Sequence, residues 1–207
     1  MIILDYPQGS PEWLQSRAGK VTASMIPAVM AKIDSATYKD YLSQLVAEQL
    51  TGKPQGSNFV NDAMQFGIDN EKFARASYET LKEVLVDEVG FVLHPTIGHC
   101  GASPDGLIND DGLIEIKCPK LTTHLNYVLE NVPPVKYHYQ MLWQLACTER
   151  EWVDFVSFRP ELPEHLQLFV SRFNRDNKKI ALIEKKVAEF LIEVDKLKEK
   201  LENNYVI

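Results

Sequence analysis

Asp105, Glu115 and Lys117 are the residues of this chain whose types and spacing most readily carry chemistry. They sit in Gly101-Ala-Ser-Pro-Asp105-Gly and Glu115-Ile116-Lys117, with nine residues between Asp105 and Glu115. Two carboxylates and a backbone carbonyl, that of Ile116, are hard oxygen donors of the kind Mg²⁺ and Mn²⁺ take. A lysine beside them can orient or help deprotonate a water, and a divalent cation stabilises the charge that builds on a phosphodiester during hydrolysis. The same three residues also read as an ordinary solvated hairpin, so spacing alone leaves both readings open.

The elements that would position these groups follow from local pattern. Leu107-Ile108, then Asn109-Asp110-Asp111-Gly112, then Leu113 to Lys117 reads as a hairpin closed by an Asp-Gly turn. Pro104 blocks pairing just before Asp105, and Pro119 ends the second arm. Glu115 and Lys117 lie two apart and share a sheet face, while Ile116 points the other way, towards the core. Further strands are expected over Val84–Leu93, Ile97–Ala102 and Trp152–Phe158, and as an edge along Leu166, Leu168 and Val170.

Helical signals dominate the first half. Ser10-Pro11 is an N-cap followed by proline at the first helical position. Thr37–Leu50 stops at Thr51-Gly52-Lys53-Pro54, and Asn61–Leu81 places Phe66, Phe73, Ala74 and Tyr78 on one side. Leu121–Glu130 and Val135–Cys147 are further helices. From Ile180, Ile183, Val187, Phe190 and Val194 to Leu197 and Leu201 the apolar residues step by three and four. A terminal helix over about residues 177–203 follows, packed either on its own domain or on another subunit.

The chain has 207 residues, no internal repeat and no long linker, and reads as a single domain, 1–207, with enough length for one sizeable core. Three widely spaced cysteines, Cys100, Cys118 and Cys147, argue against a disulfide framework and for a reducing cytoplasm. They also cannot supply a four-cysteine iron–sulfur set, and the five histidines lack zinc-like spacing. The opening MIILDYPQGSPEW has no basic region followed by an apolar stretch, so no signal peptide is expected. A net charge of −7 excludes a generic basic coat for nucleic acid, though not an acidic exterior around a cationic channel.

Five separated motifs resemble the phage-lambda exonuclease family, the YqaJ-type viral recombinase or alkaline exonuclease group of the PD-(D/E)xK nuclease superfamily. They are Trp13-x₃-Arg17-x₃-Lys20-Val-Thr-Ala-Ser24, Gly67-x₃-Glu71, Ser-Pro-Asp105-Gly, Glu115-Ile-Lys117-Cys-Pro, and a helix bearing Tyr137 and Gln140. They occur in consistent order from Trp13 to Arg159; the closing helix lies outside the match. The resemblance implies an α/β fold: a restriction-endonuclease-like core with a central mixed β-sheet flanked by helices, a helical N-terminal part and a long C-terminal helix.

It also implies a set of roles. Asp105, Glu115, the Ile116 carbonyl and Glu71 would hold Mg²⁺ (or Mn²⁺), as two ions, with Lys117 serving the attacking water. Arg17, Ser24, Ser103 and Gln140 would form a pocket for a 5′-terminal phosphate, Tyr137 would lie near the scissile phosphate, and Trp13 would stack near the DNA end. Each has a plainer reading as well: Trp13 as a core residue, Ser24 as a helix cap, Gln140 as a surface residue.

The implied activity is a Mg²⁺-dependent 5′-to-3′ exonuclease on double-stranded DNA ends, which leaves a 3′ single strand for a single-strand annealing protein. The resemblance also carries a ring-shaped homotrimer and a phage or prophage origin in a bacterial cytoplasm. The alternatives are a structure-specific endonuclease such as a junction resolvase, and a non-catalytic DNA-end-binding module.

Overall fold

Val153, Phe155, Val156 and Phe158, all buried, make Trp152–Phe158 the strand about which one sheet is built. The computed structural model of the chain describes residues 1–55 and 61–204. In chain order the elements are β1 (Ile2–Leu4), α1 (Pro11–Arg17), β2 (Val21–Thr22), α2 (Ile26–Val29), α3 (Ala36–Thr51), α4 (Asp62–Lys82), β3 (Phe91–Leu93) and β4 (Cys100–Ala102). The chain continues through β5 (Gly106–Ile108), β6 (Gly112–Lys117), α5 (Leu121–Glu130), α6 (His138–Thr148), β7 (Trp152–Phe158), α7 (Glu164–Gln167), β8 (Leu168–Asn174) and α8 (Asn177–Asn204). Single 3₁₀ turns precede α2 and α6, at Ala23–Met25 and Val135–Tyr137.

The strands divide into two four-stranded mixed sheets, β1-β3-β4-β2 and β5-β6-β7-β8, rather than one central sheet. The break falls at Ser103-Pro104-Asp105, between β4 and β5, where proline has no N–H to offer a ladder. Gln8 secures this link by donating to the carbonyls of Pro104 and Val89, at 2.8 and 2.9 Å. Within the second sheet β6 pairs antiparallel with β5 and parallel with β7, so its backbone is held on both sides.

Both faces of this sheet are covered. Leu113, Val153 and Phe155 join the main core with Trp143 of α6, Tyr41 and Leu45 of α3, and Val187, Phe190 and Val194 of α8. Ile114, Ile116, Val156 and Phe158 form a second cluster with Ala74 and Tyr78 of α4. Tyr78 also donates to Asp154 at 2.7 Å, a carboxylate that Arg172 of β8 grips through two nitrogens at 2.8 and 3.0 Å.

Several boundaries match the sequence pattern: α5 and β7 fall where expected, and Ser10 and Asn61 cap α1 and α4 through their side chains. Others differ, for local reasons. The Val84–Leu93 strand is reduced to β3, with a lone bridge from Asp87 to Leu107, because the Val86 N–H is taken by the Glu79 carboxylate at 2.8 Å. The Ile97–Ala102 strand is reduced to β4, because Nδ1 of buried His94 accepts the N–H groups of Thr96 and Ile97. Phe73, expected on the packed side of α4, is 54% exposed. Leu166 belongs to the short helix α7 rather than to the edge strand.

The hairpin turn also differs. Ile108 pairs with Gly112, leaving a three-residue loop whose positive-φ residue is Asn109, at +47°. Gly112 is therefore a strand residue, and a Cβ there would stand 2.1 Å from the Trp152 ring. Buried Arg150 holds the loop from inside: its Nη1 donates to the carbonyls of Ile108, Asn109 and Gly112 at 2.9, 2.8 and 2.6 Å.

The terminal helix packs on its own chain. Ile180, Ile183, Val187, Phe190 and Val194 are buried, Leu197 is half-buried against the core, and the seam ends before Leu201, which is 38% exposed. Among the described residues no helix is long and apolar enough to cross a membrane.

Candidate active site

Alternation along β6 sends Leu113, Glu115 and Lys117 to the face covered by α6, and Ile114 and Ile116 to the face under α4. Glu115 is thereby carried into the interior, with no exposed surface. Its carboxylate is met by three donors. Gln140 of α6 gives Nε2 to Oε1 at 2.6 Å, Gln144 one turn later gives Nε2 to Oε2 at 2.5 Å, and Lys117 Nζ stands 2.5 Å from Oε1. A buried charge with this many partners is compensated in the way a buried carboxylate requires.

Asp105 closes on the same strand from the β4–β5 link. Its N–H donates to the Ile114 carbonyl at 3.2 Å, and its Oδ2 accepts the Ile116 N–H at 2.6 Å, so it spans the backbone on either side of Glu115. Burial, and after it the neighbouring Glu115 charge, hold the Asp105 carboxyl well above the usual carboxylate range, against the pull of Lys117 and the Ile116 N–H. For Lys117 burial works to lower the pKa, but Glu115 and Asp105 outweigh it and raise the ammonium above its ordinary value. Lys117 is accordingly a charged donor here.

Glu71, on α4, faces this cluster across the cleft. Burial raises its pKa, which Arg75 and Lys117 oppose and Glu115 reinforces. Arg75, one turn along, binds Glu71 at 3.0 Å and Glu88 at 2.5 Å. Tyr137 stacks on Phe155, with ring centroids 5.4 Å apart, and its ring lies 5.6 Å from Lys117 Nζ. Glu71, Lys117 and Tyr137 border a cleft of about 550 Å³ whose lining also includes Trp13, Met64 and Ile116. Cys118 also lines it, with its thiol pushed up to about 12 by burial.

A second group adjoins the first. Arg17 lays its guanidinium 3.9 Å above the Trp13 ring, and Trp13 Nε1 donates to Ser103 Oγ at 3.0 Å. Burial lowers the Arg17 pKa to about 10, which leaves it charged at neutral pH, and its Nε is buried with no partner among the described residues. Ser24 lies exposed on the turn that packs against α6, with its Oγ 3.5 Å from Thr22 Oγ1. Among the described residues the Gln140 amide is engaged by Glu115 rather than by Arg17 or Ser103.

Two residues the sequence reading passes over prove central. Gln144 is fully buried against Glu115, and its only signal is the i, i+4 spacing from Gln140 on one helix face. Arg75 has the same spacing from Glu71.

Mg²⁺ keeps several waters and takes one or two carboxylates from a protein, so the donor chemistry here suits it. Asp105 and Glu115 supply two carboxylates beside the Ile116 backbone, and their mutual repulsion favours a cation. Among the described residues no three His, Cys, Asp or Glu side chains already close around a common point. Glu71 is turned to Arg75 rather than into such a set.

Residues 12–151 match the YqaJ-like viral recombinase domain. Among solved structures, LHK-Exo crystallised with dAMP is 44% identical, with 94% of this chain and 97% of that one covered and a TM-score of 0.89. A second crystal structure, of the alkaline exonuclease LHK-Exo from Laribacter hongkongensis, is 43% identical over the same shares, with a TM-score of 0.88. A phage-related exonuclease from Haemophilus somnus 129PT shares the fold at 16% identity, with 88% and 96% of the chains covered and a TM-score of 0.70. No curated protein matches the chain.

Proposed function

The chain belongs to the YqaJ-like viral recombinase family, and on that premise we propose that it is a Mg²⁺-dependent exonuclease degrading one strand of duplex DNA from its 5′ end. The observation that carries the reading is the buried Glu115 carboxylate, which lies beside Asp105 and shares a strand face and an ion pair with Lys117, a residue lining the open cleft. A binding module has no use for a lysine-paired carboxylate of this kind at the foot of a cleft.

Asp105, Glu115 and the Ile116 carbonyl would hold Mg²⁺, which supplies positive charge against the charge that builds on the phosphodiester. Glu71 completes the acidic surround once Arg75 releases it. Lys117, charged and held by Glu115, donates to and orients the water that attacks phosphorus. Tyr137, seated over Phe155, borders the path of the scissile strand. In recombination the product is a 3′ single strand, handed to a separately encoded annealing protein. A ring of three chains, with its acidic charge outside and Arg17 and Lys20 towards the bore, reconciles duplex binding with a net charge of −7.

The test is digestion of linear and covalently closed circular duplexes with Mg²⁺ and with chelator. Loss of linear duplex from its ends, abolished by chelator, is expected. Cutting of closed circles without ends would instead assign a structure-specific endonuclease.

End recognition gives a second measurable result. Arg17 has a buried Nε unpartnered among the described residues and lies over Trp13, which itself donates to Ser103, and a terminal phosphate carries more charge than a phosphodiester. A charge-assisted hydrogen bond is worth about 1.5–3 kcal/mol, roughly ten- to a hundredfold in rate. The wild type is expected to digest 5′-phosphorylated duplex faster than 5′-hydroxyl duplex by about that factor, and Arg17→Ala to shrink the preference. Equal initial rates on both ends for the wild type would remove the phosphate pocket from the reading.

A further inference from the structure

Gln144 is an expensive residue for its position. It lies in the middle of α6 with no exposed surface, among Met141, Trp143, Leu145 and Cys147, all of which are buried. Its Oε1 is buried without a partner among the described residues. An unpaired buried carbonyl is destabilising, and a methionine of similar length would fill the space without that cost. Turning the amide over offers no relief, since it would set Oε1 against Glu115 Oε2, one acceptor facing another. The gain that offsets the orphaned oxygen must therefore lie at the other end of the amide.

That end is Glu115. Its Oε1 has two partners: Lys117, which borders the open cleft, and Gln140, which is only half-buried. Its Oε2 has one partner among the described residues, Gln144, at 2.5 Å on the closed, interior side. Gln140 and Lys117 are free to exchange Glu115 for other partners when the cleft fills. Gln144 is walled in and cannot. Thr148 Oγ1 donates to the Gln144 carbonyl at 2.8 Å, which steadies the helix turn that presents it.

We propose that Gln144 is a positioning residue for the reaction: a fixed amide that locks the Glu115 carboxylate by Oε2, so that Oε1 is presented to a divalent cation in the cleft. The inference rests on the metal-dependent reading above and deepens it, since the amide has no contact with the reacting atoms and acts only through Glu115. Freed of this hold, the Glu115 side chain would sample several rotamers, and the site would have to order it each time a cation bound.

The experiment uses the full-length chain, with Mn²⁺ as the probe and calorimetry as the readout. Gln144→Met is expected to melt within a few degrees of the wild type, to bind Mn²⁺ roughly tenfold more weakly, and to lower kcat while leaving KM for duplex DNA unchanged. Gln144→Asn keeps an amide but withdraws it by one methylene, and an intermediate loss is expected; it also serves should Gln144→Met fold poorly. The decisive comparison is made in Glu115→Gln. If Gln144 acts through Glu115, adding Gln144→Met to that variant leaves the residual Mn²⁺ affinity unchanged. A fold-only role predicts a lowered melting temperature with Mn²⁺ affinity intact, or a loss that adds in full to that of Glu115→Gln, and either result overturns the proposal. Failure of the underlying reading shows in a different sample: the wild type would then bind no Mn²⁺ and digest no duplex.

Discussion

Asp105→Ala, Glu115→Ala and Lys117→Ala are each expected to lower hydrolysis of linear duplex by on the order of a thousandfold, the factor that several kcal/mol of lost charge stabilisation at the reacting phosphate represents. The three do so differently. Asp105 and Glu115 bring negative charge that a cation needs, so their removal also weakens Mn²⁺ binding in calorimetry. Lys117 contributes a positive charge paired with Glu115, so Lys117→Ala still binds Mn²⁺ while its turnover is lost. Removing Glu115 strands the Gln140 and Gln144 amides, and removing Asp105 frees the Ile116 N–H, so each variant is melted alongside the wild type. Near-wild-type turnover in all three would show that hydrolysis takes place elsewhere on the molecule.

The second large effect is on stability. Val194 has no exposed surface and sits in the main core on α8, with Leu197 half-buried beyond it. Val194→Asp combined with Leu197→Asp buries a carboxylate with no partner, a change in the class that costs about 4–5 kcal/mol or more. For a chain of this size that is a fall of roughly 10–20 °C in melting temperature. Because Val194 is covered by its own chain, the loss is expected in the folding of each subunit. Sedimentation of the surviving folded fraction should give the wild-type mass. An intact melting temperature with a lower mass would instead make this seam a contact between subunits.

What the sequence made legible was whatever is written locally. Ser10-Pro11, Asn61 and Pro119 announce element ends by capping or by a missing N–H, and α1, α4 and β6 stop or start accordingly. The alternation of Leu113 to Lys117 fixed which residues share a face, and the fold agrees. The lost strand lengths at Val84–Leu93 and Ile97–Ala102 came from side chains distant in any pattern: Glu79 and His94 take backbone donors that a ladder would otherwise use. The candidate site divides in the same way. Asp105, Glu115 and Lys117 could be seen because a hairpin brings near neighbours together. Gln144 could not, since its meeting with Glu115 depends on how α6 crosses the sheet, and helical spacing says nothing of what a buried face will touch. For the same reason a reader of the sequence sees Gln140 but not that its amide lies on Glu115.

The grip of Arg150 on the hairpin loop bears on which wall of the cleft can move. One guanidinium nitrogen ties three carbonyls of the β5–β6 loop to the start of β7, and the Glu151 and Trp152 amides return two bonds to the Asp111 carbonyl. With β6 paired to β7 along its whole length, to β5 over Gly112–Ile114, and tied by the Ile116 N–H to the Asp105 carboxylate, the floor that carries Glu115 and Lys117 is staked at its far end as well as at its sides. Hydrogen exchange at the β6 amides should then follow global unfolding alone. The opposite wall, α4, rests on the sheet through Ala74 and Tyr78 in its second half, while Met64 and Ile68 at its leading end stand exposed. Faster hydrogen exchange is therefore expected at that leading end of α4 than along β6.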